Sequence, residues 1–302
     1  MAKHQIQIRY DEMKALFGNS PINPEITAIF KDINDLCQQE INNMEQVPLI
    51  SNNTARGKNY IVFKKTDSDK ISRPVNIDLY NEGLESYAPG VTKIEIFWDH
   101  VLNQSIAEQP ARDITTALYA IAMNYCCCAD LIDGVKKNAG DYYEKLIGHL
   151  YSRHLNVCPT TQMDAVELDD ATISIPTDFI FNLGPNRPKL HVPVKTSTRE
   201  RVVEVWAQQR ILDGAFGVGR FICLLTCIGE TNYVRPTKNK GMSVDIVCVP
   251  NQWINYQLFI SQIKRAYYLD VPDRYDFLNH RFPRIHVKEF GEFFHESNSL
   301  CD

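Results

Sequence analysis

A change of hydrophobic period midway along the chain restricts the fold more than any other feature of the sequence. Residues 111–130 form a strongly apolar helical stretch, and a second helix is predicted over 141–155 with Asp141 as its N-cap. Short apolar segments typical of strands then follow at 171–175, 179–183, 190–194, 221–228 and 243–249. Helical spacing returns at 196–212 and 252–268. This order favours an α/β fold around a mixed sheet.

The first 95 residues follow a less regular pattern. Helices are predicted over 11–17 and 24–44, and a polar stretch at 51–73 surrounds one short strand. This part of the sequence contains no recognisable catalytic or binding motif. We therefore divide the chain into an N-terminal accessory subdomain, residues 1–95, and a core domain, residues 96–302.

The charge distribution argues against a protein that coats nucleic acid indiscriminately, because the chain carries a net charge of −5. It leaves room for a local basic groove. Between residues 179 and 210 there are six basic side chains against two acidic ones. A basic segment inside an acidic chain is compatible with sequence-specific DNA binding, in which only one face meets the duplex.

The cysteines and the N-terminus predict a compartment. Nine cysteines lie in apolar stretches, including the run Cys126, Cys127 and Cys128, and none forms paired C-x-x-C spacings. This is typical of reduced core thiols in a cytoplasmic protein and does not favour a zinc site. The polar N-terminus lacks an apolar signal region, and no run of about 18 apolar residues occurs. Neither secretion nor membrane insertion is expected.

Asp178 and Lys195 form the candidate chemical centre. Hydrolysis of a phosphodiester needs a metal ion that polarises the phosphate and activates water, with a cation near the nucleophile. Asp178 follows Pro176-Thr177, and Lys195 ends the strand Val192-Pro193-Val194, with 16 residues between the two. Two strands and a tight turn fit this interval, so both side chains can reach one sheet edge. A surface aspartate and a surface lysine with no shared role are the ordinary alternative.

The residues after the lysine strengthen the catalytic interpretation. Lys195-Thr-Ser-Thr is followed by Arg199-Glu200-Arg201. This R-(D/E)-R tripeptide, four residues after a strand-end lysine, resembles the recognition motif of the CCGG family of type II restriction endonucleases in the PD-(D/E)XK superfamily. The resemblance covers mainly residues 140–210. Without the lysine, the tripeptide is an ordinary charged cluster at a helix start.

The resemblance implies a fold, an activity and a partner. It predicts a restriction-endonuclease-like core with a central mixed sheet flanked by helices. Arg199, Glu200 and Arg201 are then expected to read two adjacent C·G pairs in the major groove of double-stranded DNA. A homodimer cutting a near-palindromic site with CC and GG half-sites follows from the match between a twofold protein and a twofold site.

The family also places a glutamate on a helix before the catalytic aspartate. Glu144 lies 34 residues before Asp178 and shares a helix face with Ile147, Gly148 and Tyr151. By resemblance, Asp178 and Glu144 are expected to bind Mg²⁺, and Lys195 to assist the attacking water. A surface glutamate paired with a lysine is the alternative for Glu144.

Two positions depart from the family pattern. Pro193 stands two residues before the lysine, where the superfamily often has an acid, so this position supplies no metal ligand. The family's downstream glutamate falls on Gln208, whose neutral amide binds a metal more weakly than a carboxylate. Glu204, one helical turn earlier, is an alternative for this role. These departures leave open a structure-specific or repair nuclease of the same superfamily, a DNA-binding module that does not cut, and an unrelated α/β protein.

Overall fold

The computed structural model describes residues 3–168, 171–238 and 240–301; the side chains at 165–168, 171–173, 200 and 301 lie outside that description. The α-helices are α1 Gln5–Asn19, α2 Pro24–Ile41, α3 Ile77–Leu84, α4 Lys93–Leu102, α5 Ala111–Leu131, α6 Ala139–Leu155, α7 Val202–Phe216, α8 Pro250–Phe259 and α9 Glu292–Glu296. The strands are β1 Glu45–Pro48, β2 Ile50–Ser51, β3 Tyr60–Lys64, β4 Val75–Asn76, β5 Ser86–Ala88, β6 Val91–Thr92, β7 Thr160–Leu168, β8 Ala171–Phe181, β9 Lys189–Val192, β10 Val194–Lys195, β11 Phe221–Cys227, β12 Thr231–Val234, β13 Ser243–Ile246, β14 Arg265–Tyr268 and β15 His286–Glu289.

A mixed sheet of seven strands forms the centre of the molecule. Its order is β15-β14-β11-β9-β8-β7, and β10 continues beside β11. The pairs β7·β8 and β8·β9 are antiparallel, whereas β9·β11, β10·β11, β11·β14 and β14·β15 are parallel. The predicted α/β fold with a central mixed sheet is confirmed.

Side-chain alternation along β11 divides the core into two layers. Leu224 faces the larger apolar cluster, which contains α1, α2, α5 and α6. Its neighbours Cys223 and Leu225 face the other side, where Trp206 of α7 and Trp253 of α8 pack edge to face with ring centroids 5.3 Å apart. Successive residues of a strand point to opposite faces, so helices cover the sheet on both sides. Flanking of the sheet by helices is therefore also as predicted.

The N-terminal helices belong to the same apolar cluster as α5 and α6. Phe17 of α1 lies 6.1 Å from Phe179 of β8, measured between ring centroids. A Cβ on Gly148 of α6 would stand 2.5 Å from the Phe179 ring, so the missing side chain permits this close approach. The boundary near residue 95 stays a prediction, and it does not coincide with a break in the hydrophobic core.

Three local predictions were wrong. Pro176, Thr177 and Asp178 lie inside the continuous strand β8 and do not separate two strands at 171–175 and 179–183. The pairing of β7 with β8 shifts register beside Pro176, and such an irregularity accommodates a residue without an N–H. Helix α6 begins at Ala139 after Asn138, so Asp141 belongs to its first turn and is not the N-cap.

The third error concerns the predicted helix over 252–268. Helix α8 ends at Phe259, and Arg265–Tyr268 is the strand β14. This strand is paired on both sides, with β11 and with β15, so backbone hydrogen bonding in the sheet determines its conformation. A short apolar run has no period that separates a buried strand from a buried helix.

Helix α5 is the one helix of the described residues whose length and hydropathy suffice for a membrane span. Within the protein, 94% of its most apolar window is buried. This is the environment of a central core helix, and α5 packs against α2, α3 and α6.

The buried imidazole of His149 ties α6 to the loop before α2. Its Nδ1 lies 2.7 Å from the Pro21 carbonyl oxygen, and its Nε2 lies 2.7 Å from the Thr27 hydroxyl. The neutral ring therefore donates through Nδ1 and accepts through Nε2. Burial lowers the pKa of His149 from 6.5 to about 4.

This lowered pKa predicts acid instability. The unfolded chain takes up the proton near the ordinary pKa and the folded chain only near the lowered one, so stability is lost as the pH falls between them. The expected loss is about 3 kcal/mol of the free energy of unfolding.

Urea unfolding at a series of pH values across this range measures the loss of stability. His149→Gln should reduce the slope, to which the partly buried His154 and the buried His191 also contribute, whereas the control His280→Gln, at an exposed position, should keep the wild-type slope. Equal slopes in all three proteins would contradict the prediction.

Candidate active site

Asp178 and Lys195 meet where β8 lies beside the chain that runs from β9 into β10. Lys195 Nζ lies 3.2 Å from Asp178 Oδ2, and the backbone N–H of Val194 donates to the same oxygen at 2.7 Å. The two side chains are 20% and 19% exposed. A carboxylate held by a backbone N–H thus stands beside an ammonium group, and both retain access to solvent.

Strand alternation explains why these two side chains share a face. Phe179 of β8 pairs with Val192 of β9, and both point into the larger apolar cluster. The preceding residue, Asp178, therefore points to the other face. Lys195 pairs with Cys227 of β11, which packs in the cluster under α7 and α8. The two side chains therefore converge as expected, although Asp178 lies within β8 and only Lys195 ends a strand.

Glu144 of α6 lies within electrostatic reach of Asp178. Burial raises the pKa of the Glu144 carboxyl, and the negative charge of Asp178 acts in the same direction. Lys145 acts in the opposite direction, with its Nζ 2.7 Å from Glu144 Oε1. Two carboxylates whose negative charges repel each other favour a bound cation between them.

The donors around Asp178 suit a hard divalent cation. Within the described ranges, no group of three or more His, Cys, Asp or Glu side chains has metal-binding geometry. Carboxylates from Asp178 and Glu144 fit Mg²⁺, which is commonly held by one or two protein carboxylates, with water and substrate phosphate completing its octahedron.

The segment Arg199–Arg201 forms a 3₁₀ turn that leads directly into α7. Arg201 is exposed. Arg199 is partly buried: its guanidinium donates to the Thr231 carbonyl oxygen, and its buried Nε has no hydrogen-bond partner within the described part of the chain. Arg201 is therefore accessible to a DNA duplex, whereas the guanidinium of Arg199 is held by the protein; base reading by either arginine stays a prediction. The side chain of Glu200 lies outside the described residues.

Gln209, rather than Gln208, is connected to this centre. Its Nε2 donates to the Phe221 carbonyl oxygen at 3.1 Å, which leaves Oε1 to accept from His191 Nδ1 at 2.9 Å. Burial lowers the pKa of His191 to about 4, and the charges of Asp178 and Lys195 act on it in opposite directions. The imidazole is therefore a neutral neighbour of the ion pair.

The other two candidates on α7 have different surroundings. Glu204 is exposed to solvent. Gln208 is partly buried, and its Oε1 has no hydrogen-bond partner among the described residues. The participation of either residue in a metal site stays a prediction.

Comparison with solved structures identifies the fold. Neither a family model nor a curated protein matches the sequence. Among solved structures, the type IIP restriction endonuclease Kpn2I matches with a TM-score of 0.73 and 22% identity, over 98% of this chain and 97% of that chain. The chain has the fold of a type II restriction endonuclease. A complex of the restriction endonuclease PspGI with substrate DNA also matches, at a TM-score of 0.39 and 15% identity over 74% of this chain and 87% of that one.

The restriction-endonuclease fold confirms the predicted resemblance at the level of architecture. The likeness extends over nearly the whole chain, including the first 95 residues, whereas the motif resemblance concerned mainly residues 140–210. The narrower assignment to the CCGG family stays a prediction.

Sequence reasoning missed Glu230, whose carboxylate lies against the backbone of Arg199. Its carboxylate is 1% exposed and accepts from the backbone N–H groups of Thr198 and Arg199. A signal was present, because Glu230 follows the apolar strand β11 after a single intervening turn at Ile228-Gly229. An acid just past a buried strand lies at the same sheet edge as Lys195.

Proposed function

We propose that the chain is a type II restriction endonuclease, which hydrolyses both strands of DNA at a short specific sequence with Mg²⁺ as its cofactor. The observation that carries the proposal is the contact between Lys195 and Asp178 in a restriction-endonuclease fold. Lys195 lies only four residues before Arg199 in the sequence. A cleavage centre and a reading segment so close in sequence can couple recognition to cutting.

The chemistry assigns a role to each polar group around Asp178. Mg²⁺, when held by Asp178 and Glu144, supplies positive charge to the phosphate and lowers the pKa of the attacking water. The Lys195 ammonium orients that water and stabilises the charge that develops on the phosphate oxygens. Val194 N–H keeps Asp178 in place. As the water oxygen forms the new P–O bond it gives up a proton, the bond to the 3′ or 5′ oxygen breaks, and that leaving oxygen takes up a proton.

Recognition in this proposal depends on Arg199, Glu200 and Arg201. An arginine that donates to O6 and N7 of guanine distinguishes G·C from the other base pairs. A homodimer presents two such segments related by a twofold axis, which suits a near-palindromic site with CC and GG half-sites. The local excess of basic side chains over 179–210 supports phosphate contact around this segment.

The cellular setting of the proposal is the cytoplasm. The eight described cysteines are free thiols, and six of them are buried, so none of these residues depends on an oxidising compartment.

Digestion of a plasmid of known sequence tests the activity. Incubation with Mg²⁺ should give discrete fragments whose sequenced ends define one site, and EDTA should abolish cutting. Smeared products, or cleavage confined to branched substrates, would indicate a repair or structure-specific nuclease. Specific binding without Mg²⁺-stimulated cleavage would indicate a DNA-binding module, the alternative raised by Pro193 and Gln208 at positions where the family often has acids.

Arg201→Ala is expected to lower discrimination at one G·C pair of the site. Because Arg201 is exposed, its guanidinium is free to reach a base edge, and its loss should cost about 1 to 3 kcal/mol of discrimination. Cleavage rates on the cognate duplex and on duplexes with each single substitution measure the effect. Arg210→Ala, at another exposed arginine nearby on α7, is the control and should preserve the ratio of rates. Equal weakening on all duplexes by Arg201→Ala would mean a phosphate contact instead.

A further inference from the structure

The buried carboxylate of Glu230 accepts hydrogen bonds from the start of the recognition segment, which we define as residues 198–201. Oε1 accepts from Thr198 N at 3.1 Å, from the Thr198 hydroxyl, and from Tyr268 OH at 2.8 Å. Oε2 accepts from Thr198 N at 3.1 Å and from Arg199 N at 3.2 Å. Four donors from three residues therefore converge on one buried carboxylate.

Such a carboxylate is costly unless its oxygens are satisfied. Glu230 is 1% exposed, and removing an anion from water without hydrogen bonds costs several kcal/mol. Here the backbone N–H groups at the start of a helical segment, which carry partial positive charge, supply part of the compensation, and burial still raises the pKa of the Glu230 carboxyl. The hydrogen bonds fix the conformation of residues 198 and 199 against this carboxyl group.

The backbone of Arg199 needs this support. Its φ is 31°, in the left-handed region that an arginine rarely adopts. Its own N–H is one of the groups bound by Glu230, and its guanidinium is bound by the Thr231 carbonyl, one residue further along. The residue before Arg199 and the residue itself are therefore both fixed by the segment 230–231.

The same stretch of chain is joined to the catalytic strand. Ile228 N donates to the Lys195 carbonyl at 3.3 Å, and Gly229 N donates to the Thr196 carbonyl at 3.4 Å. On the opposite side, Val247 N donates to the Glu230 carbonyl at 2.9 Å. Residues 228–230 thus hold the strand end that carries Lys195 and the turn that carries the arginines in one rigid arrangement.

We propose that Glu230 is a positioning residue for sequence discrimination, which fixes the recognition segment relative to Lys195 and touches no DNA itself. This inference rests on the proposed function, since it assigns Glu230 to the reading half of that site. Glu230 acts through the backbone of Thr198 and Arg199. Its loss should therefore lower the preference for the cognate sequence over substituted ones.

Glu230→Gln is the variant that tests the proposal. The side chain keeps its size, but an NH₂ group replaces one acceptor oxygen and faces N–H donors from the backbone. Hydrogen exchange on the unbound protein should then show faster exchange of the Thr198 and Arg199 amides. The ratio of cleavage rates between the cognate duplex and single-substitution duplexes should fall about tenfold. The cognate duplex is the one defined by the sequenced ends of the wild-type plasmid digest.

Glu296→Gln is a matched control. Glu296 accepts from Tyr267 OH, Arg265 and Lys288, and its side chain is 15% exposed. Tyr267 and Tyr268 are neighbours on β14 that point to opposite faces of the sheet, so each acid accepts from a tyrosine of this strand, on opposite sides of the sheet. The control should lower thermal stability while leaving discrimination and the amide exchange at 198 and 199 unchanged.

The outcomes separate this inference from the proposed function. Unchanged exchange at 198 and 199 in Glu230→Gln, or unchanged discrimination in a wild-type enzyme that cuts specifically, would overturn the inference alone. An equal loss of discrimination in Glu296→Gln would overturn it too, because general destabilisation would then explain the effect. A wild-type protein that fails to cut would overturn the proposed function, and with it the assignment to discrimination. The exchange measurement would still decide whether Glu230 fixes the segment.

Discussion

Replacing Lys195 by methionine is expected to lower the rate of DNA cleavage by about a thousandfold. Methionine keeps an unbranched apolar stem, so it removes chiefly the ammonium group that lies 3.2 Å from Asp178 Oδ2. Nothing then stabilises the charge that develops on the phosphate oxygens at this position. Single-turnover cleavage of the cognate duplex at saturating Mg²⁺ measures the loss.

DNA binding by the Lys195→Met variant should remain close to that of the wild type. The recognition segment is held by Glu230 and not by Lys195, and Asp178 keeps its hydrogen bond from Val194 N. Binding to cognate and substituted duplexes in the absence of metal checks this expectation. A variant that has lost binding as well as cleavage would point to a disrupted fold.

Lys93→Met provides the control for the loss of a half-buried lysine. Lys93 is 14% exposed and forms ion pairs with Glu85 and Asp113, which resembles the environment of Lys195 with its 20% exposure. The control should cut at the wild-type rate. Cleavage by Lys195→Met at a comparable rate would remove Lys195 from the active site.

Strand-end chemistry could be predicted from sequence because it depends on local patterns. Apolar runs mark the strands, and the polar residues that end them must lie at a sheet edge. This reasoning selects Asp178 and Lys195, and the two side chains lie in contact. The predicted strand boundary beside Asp178 was wrong: the residue lies inside β8, where a register irregularity beside Pro176 stands in place of the predicted break between two strands.

The surroundings of Arg199 could not be predicted in the same way. Its guanidinium is bound by Thr231, and its backbone by Glu230, about thirty residues further along the chain. The tripeptide Arg199-Glu200-Arg201 carries no information about such partners. Only the parallel pairing of β10 with β11 brings residues 228–231 beside residues 195–199. Long-range pairing of this kind, as in β14, is what local periodicity leaves undetermined.

Asp178→Asn is expected to lower cleavage about a thousandfold and, unlike Lys195→Met, to change the dependence of the rate on Mg²⁺. The asparagine oxygen can still accept from Val194 N, so the strand end keeps its conformation. The negative charge is lost, however, and a neutral amide binds Mg²⁺ more weakly than a carboxylate. The Mg²⁺ concentration for half-maximal rate should therefore rise, whereas Lys195→Met should leave it near the wild-type value.

Two comparisons make this prediction sharp. Asp164→Asn changes an exposed aspartate on β7, the antiparallel neighbour of β8, and should alter neither the rate nor the Mg²⁺ dependence. Glu144→Gln should shift the Mg²⁺ dependence in the same direction as Asp178→Asn, because the two carboxylates interact and are proposed to share one cation. If Asp178→Asn loses rate with an unchanged Mg²⁺ dependence, Asp178 orients Lys195 and is no metal ligand. If the Asp178→Asn variant cuts at the wild-type rate, Asp178 does not belong to the cleavage centre.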